Sequence, residues 1–348
     1  MEFLFGTGLS ELGLRAVAAV TVTVLAPLFR QSSFYWPFLL TSLAIAVFVY
    51  TMTRRPGAFS LAGLLRAGLN PRIWAAESAW ADYRYYVINN ILCAALLLPL
   101  IATSAGVGLF LSELLAGVFG PIETPVLGQV AIKIAFAVAF FVGYDFGHFV
   151  SHYVQHRVPL LWEFHKVHHS AQVLTPITAT RLHPVDLFLM TLGRNLGAGL
   201  GYGVVFYLGA GEVSMYTLLG ITALLSVYHM IGHLRHSMVW VSYGPPNGIL
   251  ISPAHHQIHH SALPEHRDKN IGFALTIWDR LFGTFYAPEK GMSFPMGIGD
   301  GSDGAWHHVG RMYWWPVVNA ARVLKGREAM TPSATKSPGA RIDRTTRS

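Results

Sequence analysis

The sequence predicts an all-α integral membrane protein, with about four to six transmembrane or membrane-embedded helices and a cytoplasmic, histidine-rich helical cap. Three observations predict it. Only 12% of the 348 residues are charged while 52% are hydrophobic, against about 25% charged in a soluble domain, and mean hydropathy is +0.41. Apolar runs of bilayer-crossing length recur along the chain, separated by polar segments and turns. All seventeen histidines lie between His148 and His308, many at helical spacing.

Taken in order, Leu12 to Phe29 and Phe34 to Met52 are apolar runs of 18 and 19 residues, each sufficient to cross a hydrocarbon core. Thr53 to Tyr85 holds Arg54, Arg55, Arg66, Arg72 and Arg84 but no lysine, which the positive-inside rule places in the cytoplasm, with partial helices along the membrane surface. Val87 to Phe110 is expected as a third span, and Leu111 to Leu127, acidic and free of Lys and Arg, as an outer connection. Val130 to Val150 returns and carries Asp145 and His148, with His152 just beyond, to the inner boundary. Asp186 to Leu208 and Val213 to Ile231 form a second hairpin turning at Gly209, Ala210 and Gly211. Within it, Gly197, Gly199, Gly201 and Gly203 miss the dinucleotide spacing, and overlapping GxxxG pairs suit close helix packing instead. Arg194 is costly in lipid and so is expected against protein or near the interface. The segmentation is then 1–129 membrane helices and connector, 130–288 the histidine-bearing domain, 289–332 extension and 333–348 a Ser/Thr/Pro/Arg-rich disordered tail.

The single cysteine, Cys93, excludes a disulfide framework, a cysteine-ligated cluster and a CxxC pair. The formal charge of +7 flanks apolar segments or sits in the tail, so it argues for membrane and against nucleic acid. Met1 to Ser10 lacks the basic start of a cleavable signal. The expected location is a multi-pass protein of the bacterial inner membrane, with its site on the cytoplasmic side.

Residues i, i+3 and i+4 share a helix face. His152 and His156 are i, i+4; His165, His168 and His169 are i, i+3, i+4; His256, His259 and His260 repeat that pattern. Three faces, each with two or three imidazoles, can surround one or two metal ions, and imidazole suits iron, zinc, copper and nickel. A lone histidine is more often an ordinary polar residue. Two HxxHH repeats beside an HxxxH are not readily so. The Glu-x-x-His of carboxylate diiron bundles and the HExxH of zinc proteases are both missing. Asp145 and Glu163 are candidates for orienting imidazole N–H groups; the bland alternative for each is a solvated or interfacial carboxylate.

The run from Asp145 to Ser170, including HYVQHRVPLLWEFHKVHH, resembles the fatty acid hydroxylase/sterol desaturase superfamily. The likeness continues through Arg181 to Asp186, His236-Ser237, Ser252 to Ser261 and Asn270 to Thr284. It covers roughly Val130 to Pro288. The resemblance implies a membrane-bound non-haem diiron oxygenase that hydroxylates or desaturates a lipid such as a sterol or fatty acyl chain. It implies two Fe ions, with zinc a possible substitute, O2 as co-substrate, and a separate electron donor such as a ferredoxin or a cytochrome b5-like protein with its reductase. By position the metal ligands are His152, His156, His165, His168, His169, His236, His256, His259 and His260, with His233 or His229 as a further one. His183 matches a structural or outer-sphere histidine of the family, whereas His148, His255, His266, His307 and His308 are ordinary polar residues. Tyr153 replaces the Arg that often follows the first histidine, and Met238 the Asn of the usual His-Ser-Asn. Trp278-Asp279-Arg280 is expected to pack the cap rather than touch substrate.

Two other classes compete. A membrane metal carrier would place its ligands near the bilayer midplane, whereas these histidines cluster at the inner boundary. A degenerate scaffold would have lost a histidine from the pattern, and none is missing.

Overall fold

The computed structural model describes residues 20–21, 23–28, 32, 34–53, 60–96, 103–211, 217–218 and 221–330, and among them only two-residue strands interrupt an all-helical chain. Helix α1 (Trp36–Met52) opens with Pro37 in its first turn, where the missing N–H costs nothing. Thr41 and Ser42 donate to the Met230 carbonyl at 3.0 Å each, tying α1 to the far part of the chain. Two short helices follow, α2 (Leu61–Gly68), capped by the Ser60 hydroxyl, and α3 (Pro71–Trp74), capped by Asn70.

Helix α4 (Glu77–Leu96) and helix α5 (Ser104–Phe119) replace the single span expected from Val87 to Phe110. Thr103, extended at φ −78° and ψ 150°, starts α5 by accepting from the Gly106 N–H at 3.1 Å. The segment expected as an outer connection is correspondingly helical as far as Phe119. Helix α6 (Gln129–Arg157) runs 29 residues, well beyond the expected Val150, so His152 and His156 are helical continuations of an apolar segment. Among the described residues it is the one helix long and apolar enough to cross a membrane; Trp36–Met52 and Ser104–Phe119 are apolar but shorter. The expected Leu12–Phe29 span lies largely outside the described residues, as does the tail.

Val158 ends α6 in an extended conformation (φ −95°, ψ 111°), as the residue before a proline must. Pro159 then starts α7 (Pro159–His169). This one-residue break folds the two histidine-bearing helices against each other. Helix α8 (Pro184–Leu208) starts on His183, whose Nδ1 accepts from the Val185 N–H at 3.1 Å. Helices α6 and α8 meet backbone to backbone: a Cβ on Gly143 or Gly197 would lie 2.2 or 2.1 Å from the other's carbonyl oxygen. The glycine row therefore sets helix separation, as expected.

The second half of the expected hairpin is different. Residues 213–216 lie outside the described set, Thr217–Leu218 pairs antiparallel with Ile221–Thr222, and helix α9 (Ala223–Gly232) has only ten residues. β-Branched Thr217, Ile221 and Thr222 favour that extended pairing over helix. Short helices α10 (Pro253–His259) and α11 (Ile277–Leu281) and the longer α12 (Val309–Leu324) complete the fold.

A buried hub ties α4, α7 and the 306 region together. Arg181, fully buried, donates to Asp82 Oδ1 at 2.8 Å, the Val167 carbonyl at 3.0 Å, Ser170 Oγ at 2.8 Å and the Trp306 carbonyl at 2.9 Å. Asp82 also accepts from Thr178 at 2.6 Å. The apolar layer beside it contains Tyr85, Val167, Trp306 and Met312.

Candidate metal centre

Two groups of imidazoles form where α6, α7, α10 and the 233–236 turn converge. His152, His156, His165, His169 and His259 make the first, and His168, His236, His256 and His260 the second; within each group the ligand atoms lie within 4.8 Å of one another. Helical spacing explains the division. His168 and His169 point about 100° apart on α7 and serve different groups; His259 and His260 divide in the same way. The groups adjoin, with the His169 and His260 ring centroids 4.7 Å apart.

Proton positions in the first group follow from its outer contacts. Nδ1 of His152 meets the Ile271 carbonyl at 2.7 Å, that of His259 the Lys269 carbonyl at 2.8 Å, that of His165 Asp186 at 3.1 Å, and that of His156 Asp268 at 3.0 Å. Carbonyls and carboxylates accept, so each Nδ1 carries the proton and each neutral ring presents a bare Nε2 lone pair. Yet Nε2 of His152 sits 3.0 Å from that of His165 and 3.1 Å from that of His259, and His165 is 3.2 Å from His169. Lone pairs this close repel unless a cation lies among them. His156 Nε2 is buried with no partner at all, and the donor set fits a metal ion.

The second group is held differently. His168 and His236 approach at 3.3 Å, His236 and His256 at 2.9 Å, and His256 and His260 at 3.1 Å, all through Nε2. No carboxylate supports these rings. Nδ1 of His168 and of His260 is buried without a partner, and His256 Nδ1 faces the guanidinium of Arg235 at 3.1 Å. Burial, reinforced by neighbouring rings and, at His236, His256 and His259, by Arg235, holds His168, His169, His236, His256 and His260 far below the usual imidazole pKa and His259 at about 3. Neutral rings are what a metal requires at neutral pH.

Carboxylate partners raise ligand basicity, whereas a guanidinium lowers it. Titrating metal into ion-free protein should therefore fill the five-histidine group first and the four-histidine group in a separate, weaker step. Asp268→Asn should weaken the first step by about tenfold and leave the second unchanged. Two equal steps, or a variant affecting only the second, would refute the asymmetry.

His233 lies outside both groups. Its ring stacks on Phe34 with centroids 5.4 Å apart, and His229 donates from Nδ1 to the Leu225 carbonyl at 2.7 Å. The expected outer carboxylates are also reassigned. Asp145 accepts from the Ala274 and Leu275 N–H groups and from Trp278 Nε1, at 2.6, 3.2 and 2.7 Å, so it anchors a loop. Glu163 pairs with Lys166 at 2.7 Å and Asn319 at 2.9 Å. Asp186 and Asp268 do the orienting instead. Asp186 opens α8 within the quoted Arg181–Asp186 motif, a position the sequence offers. Asp268 sits at φ 55° in a turn that no periodicity reveals.

Trp278-Asp279-Arg280 packs the cap as expected. Asp279 accepts from the Ile271 and Gly272 N–H groups at 2.8 and 2.9 Å, which positions the carbonyl facing His152. His183 is structural, reaching the Tyr313 carbonyl at 3.2 Å, and His255 caps α10 with Ser252. A cavity of about 160 Å³ opens against both histidine groups; its remaining wall combines apolar side chains such as Phe34, Leu182, Met190 and Phe273 with Arg194, Arg235 and His229.

Residues 137–284, the segment that supplies every ring of both groups, match the family model described as fatty acid hydroxylase. That segment, less than half of the chain, is similar to members of the fatty acid hydroxylase/sterol desaturase superfamily. Among its curated relatives in that superfamily, the ornithine lipid hydroxylase OlsE of Rhizobium tropici is 34% identical over 139 residues, 40% of this chain and 38% of that protein. The alkylglycerol monooxygenase of Danio rerio is 32% identical over 147 residues, 40% of this chain and 28% of its own length. The lathosterol oxidase of Rattus norvegicus is 30% identical over 126 residues, 36% of each chain. The match thus spans well under half of each relative. No solved structure matches the chain.

Proposed function

We propose that this protein is a membrane-bound, iron- and O2-dependent oxidoreductase that hydroxylates or desaturates a lipid. The observation that carries the reading is the pair of adjacent imidazole groups, nine rings in all, opening on an apolar cavity. It rests also on relatives whose names describe hydroxylation or oxidation of an ornithine lipid, an alkylglycerol and lathosterol. We assign one iron to each group, with zinc able to substitute, and take residues 130–288 as the catalytic unit.

Hydroxylation consumes one O2, two electrons and two protons and releases one water beside the alcohol. Bound iron supplies the dioxygen activation. The chain's own residues hold the rings in place, through Asp186, Asp268 and the 269–271 backbone, and exclude water from an apolar cavity. A ferredoxin or a cytochrome b5-like protein with its reductase is the donor we expect. The membrane assignment rests on α6, whose apolar length ends where the histidines begin. A multi-pass arrangement with the histidine-rich cap on the cytoplasmic side accommodates the basic segments.

Metal carriage is the second reading. Five- and four-fold imidazole sets hold ions more firmly than a carrier that must release them would, which favours an enzyme. Metal analysis of the purified chain, with mass spectrometry of lipids from cells with and without it, tests the proposal. Iron near two per chain and a lipid that gains one oxygen or loses two hydrogens is expected. One zinc without iron, and unchanged lipids, would overturn it.

A further inference from the structure

Arg194 is a cation in an apolar place without a counter-charge. It sits on α8 eight residues past Asp186, a rise of about 12 Å, and its side chain lines the cavity that reaches both histidine groups. Its contacts are weak: Nη2 donates to Thr191 Oγ1 at 3.3 Å, and the guanidinium lies 5.9 Å from the Tyr144 ring centroid. No carboxylate among the described residues pairs with it, and no acidic side chain lines the cavity. The other arginine there, Arg235, is already engaged by the Phe273 and Gly272 carbonyls at 2.9 and 3.2 Å and by His256.

A guanidinium in an apolar helix is costly, and Arg194, half-buried, meets that cost with no counter-charge beside it. The cost is relieved when a ligand brings the missing anion. A guanidinium binds carboxylate or phosphate oxygens through paired N–H donors. Across the cavity, His229 keeps its proton on Nδ1 for Leu225, so its Nε2 remains an acceptor for an O–H or N–H of the same ligand.

We propose that Arg194 is the substrate anchor and that the lipid oxidised here is acidic, carrying a carboxylate or a phosphate ester that this side chain binds. The proposal rests on the oxygenase reading for the identity of the cavity as the substrate site. It separates the candidate lipids: a neutral sterol or alkylglycerol leaves Arg194 unpaired, and an acidic lipid does not.

The test is equilibrium binding to the full-length, iron-loaded protein in nanodiscs. Oleate is compared with methyl oleate, and lysophosphatidic acid with monoacylglycerol. At least tenfold tighter binding of the acid is expected in one pair or both; the oleate pair identifies a carboxylate, the other a phosphate ester. Arg194→Met should abolish that preference and Arg194→Lys retain part of it, with iron content unchanged in both. Equal binding of acid and neutral lipid by the unaltered protein, or a preference that survives Arg194→Met, overturns the anchor. An acid preference that depends on Arg194 in a protein that binds no iron leaves the anchor standing and removes the oxygenase reading instead.

Discussion

His168→Ala is expected to lower oxygen-dependent turnover by more than the 10–100-fold, roughly, that loss of an outer partner costs a metal site. Bound metal should fall by one ion per chain. The four-histidine group would keep His236, His256 and His260, and every other ring within reach belongs to the five-histidine group. Folding should be little affected, because the His168 side chain closes the last turn of α7 and its Nδ1 bonds to nothing. Metal content, turnover and far-ultraviolet circular dichroism on one preparation decide the matter. A variant with full metal and full turnover would show that this ring is not a ligand.

Arg181→Met should cause the largest loss of stability. Its guanidinium and the Asp82 carboxylate are both fully buried, and the side chain also satisfies two carbonyls and a hydroxyl. Removing one member of a buried pair leaves the other uncompensated, at about 3–5 kcal/mol. Burial already pushes the Asp82 pKa up and Arg181 pulls it back down, so the Asp82 pKa should rise further once the arginine is gone. Adding Asp82→Asn should recover part of the stability, because no charge then remains buried. Denaturant midpoints for the two single variants and the double variant measure this coupling. Strictly additive losses would mean that the pair is not the unit of stability.

The histidine pattern was legible because a helix converts i, i+3 and i+4 into one face without help from the rest of the fold. That is why nine of the ten histidines singled out from the sequence meet in two groups. His233 failed to join them because it lies in a 3₁₀ turn, where helical spacing no longer predicts direction. The orienting carboxylates were less legible. Asp145 and Glu163 are near the histidines in sequence, but their side chains serve a loop and α12, whereas Asp268 reaches His156 from 112 residues away. Hydropathy located α1, α6 and α8 but ran α4 and α5 together, since a uniform apolar run does not mark the cap at Thr103, and it did not mark the extended pairing of Thr217–Leu218 with Ile221–Thr222.

The division of each His-His dipeptide between the two groups makes α7 and α10 behave like the teeth of one comb. Inserting a single residue ahead of either dipeptide would swing both of its rings by about 100° and disable the two centres together. Insertions or deletions ahead of either dipeptide should therefore cost both ions at once, whereas substitution of a single ring costs one.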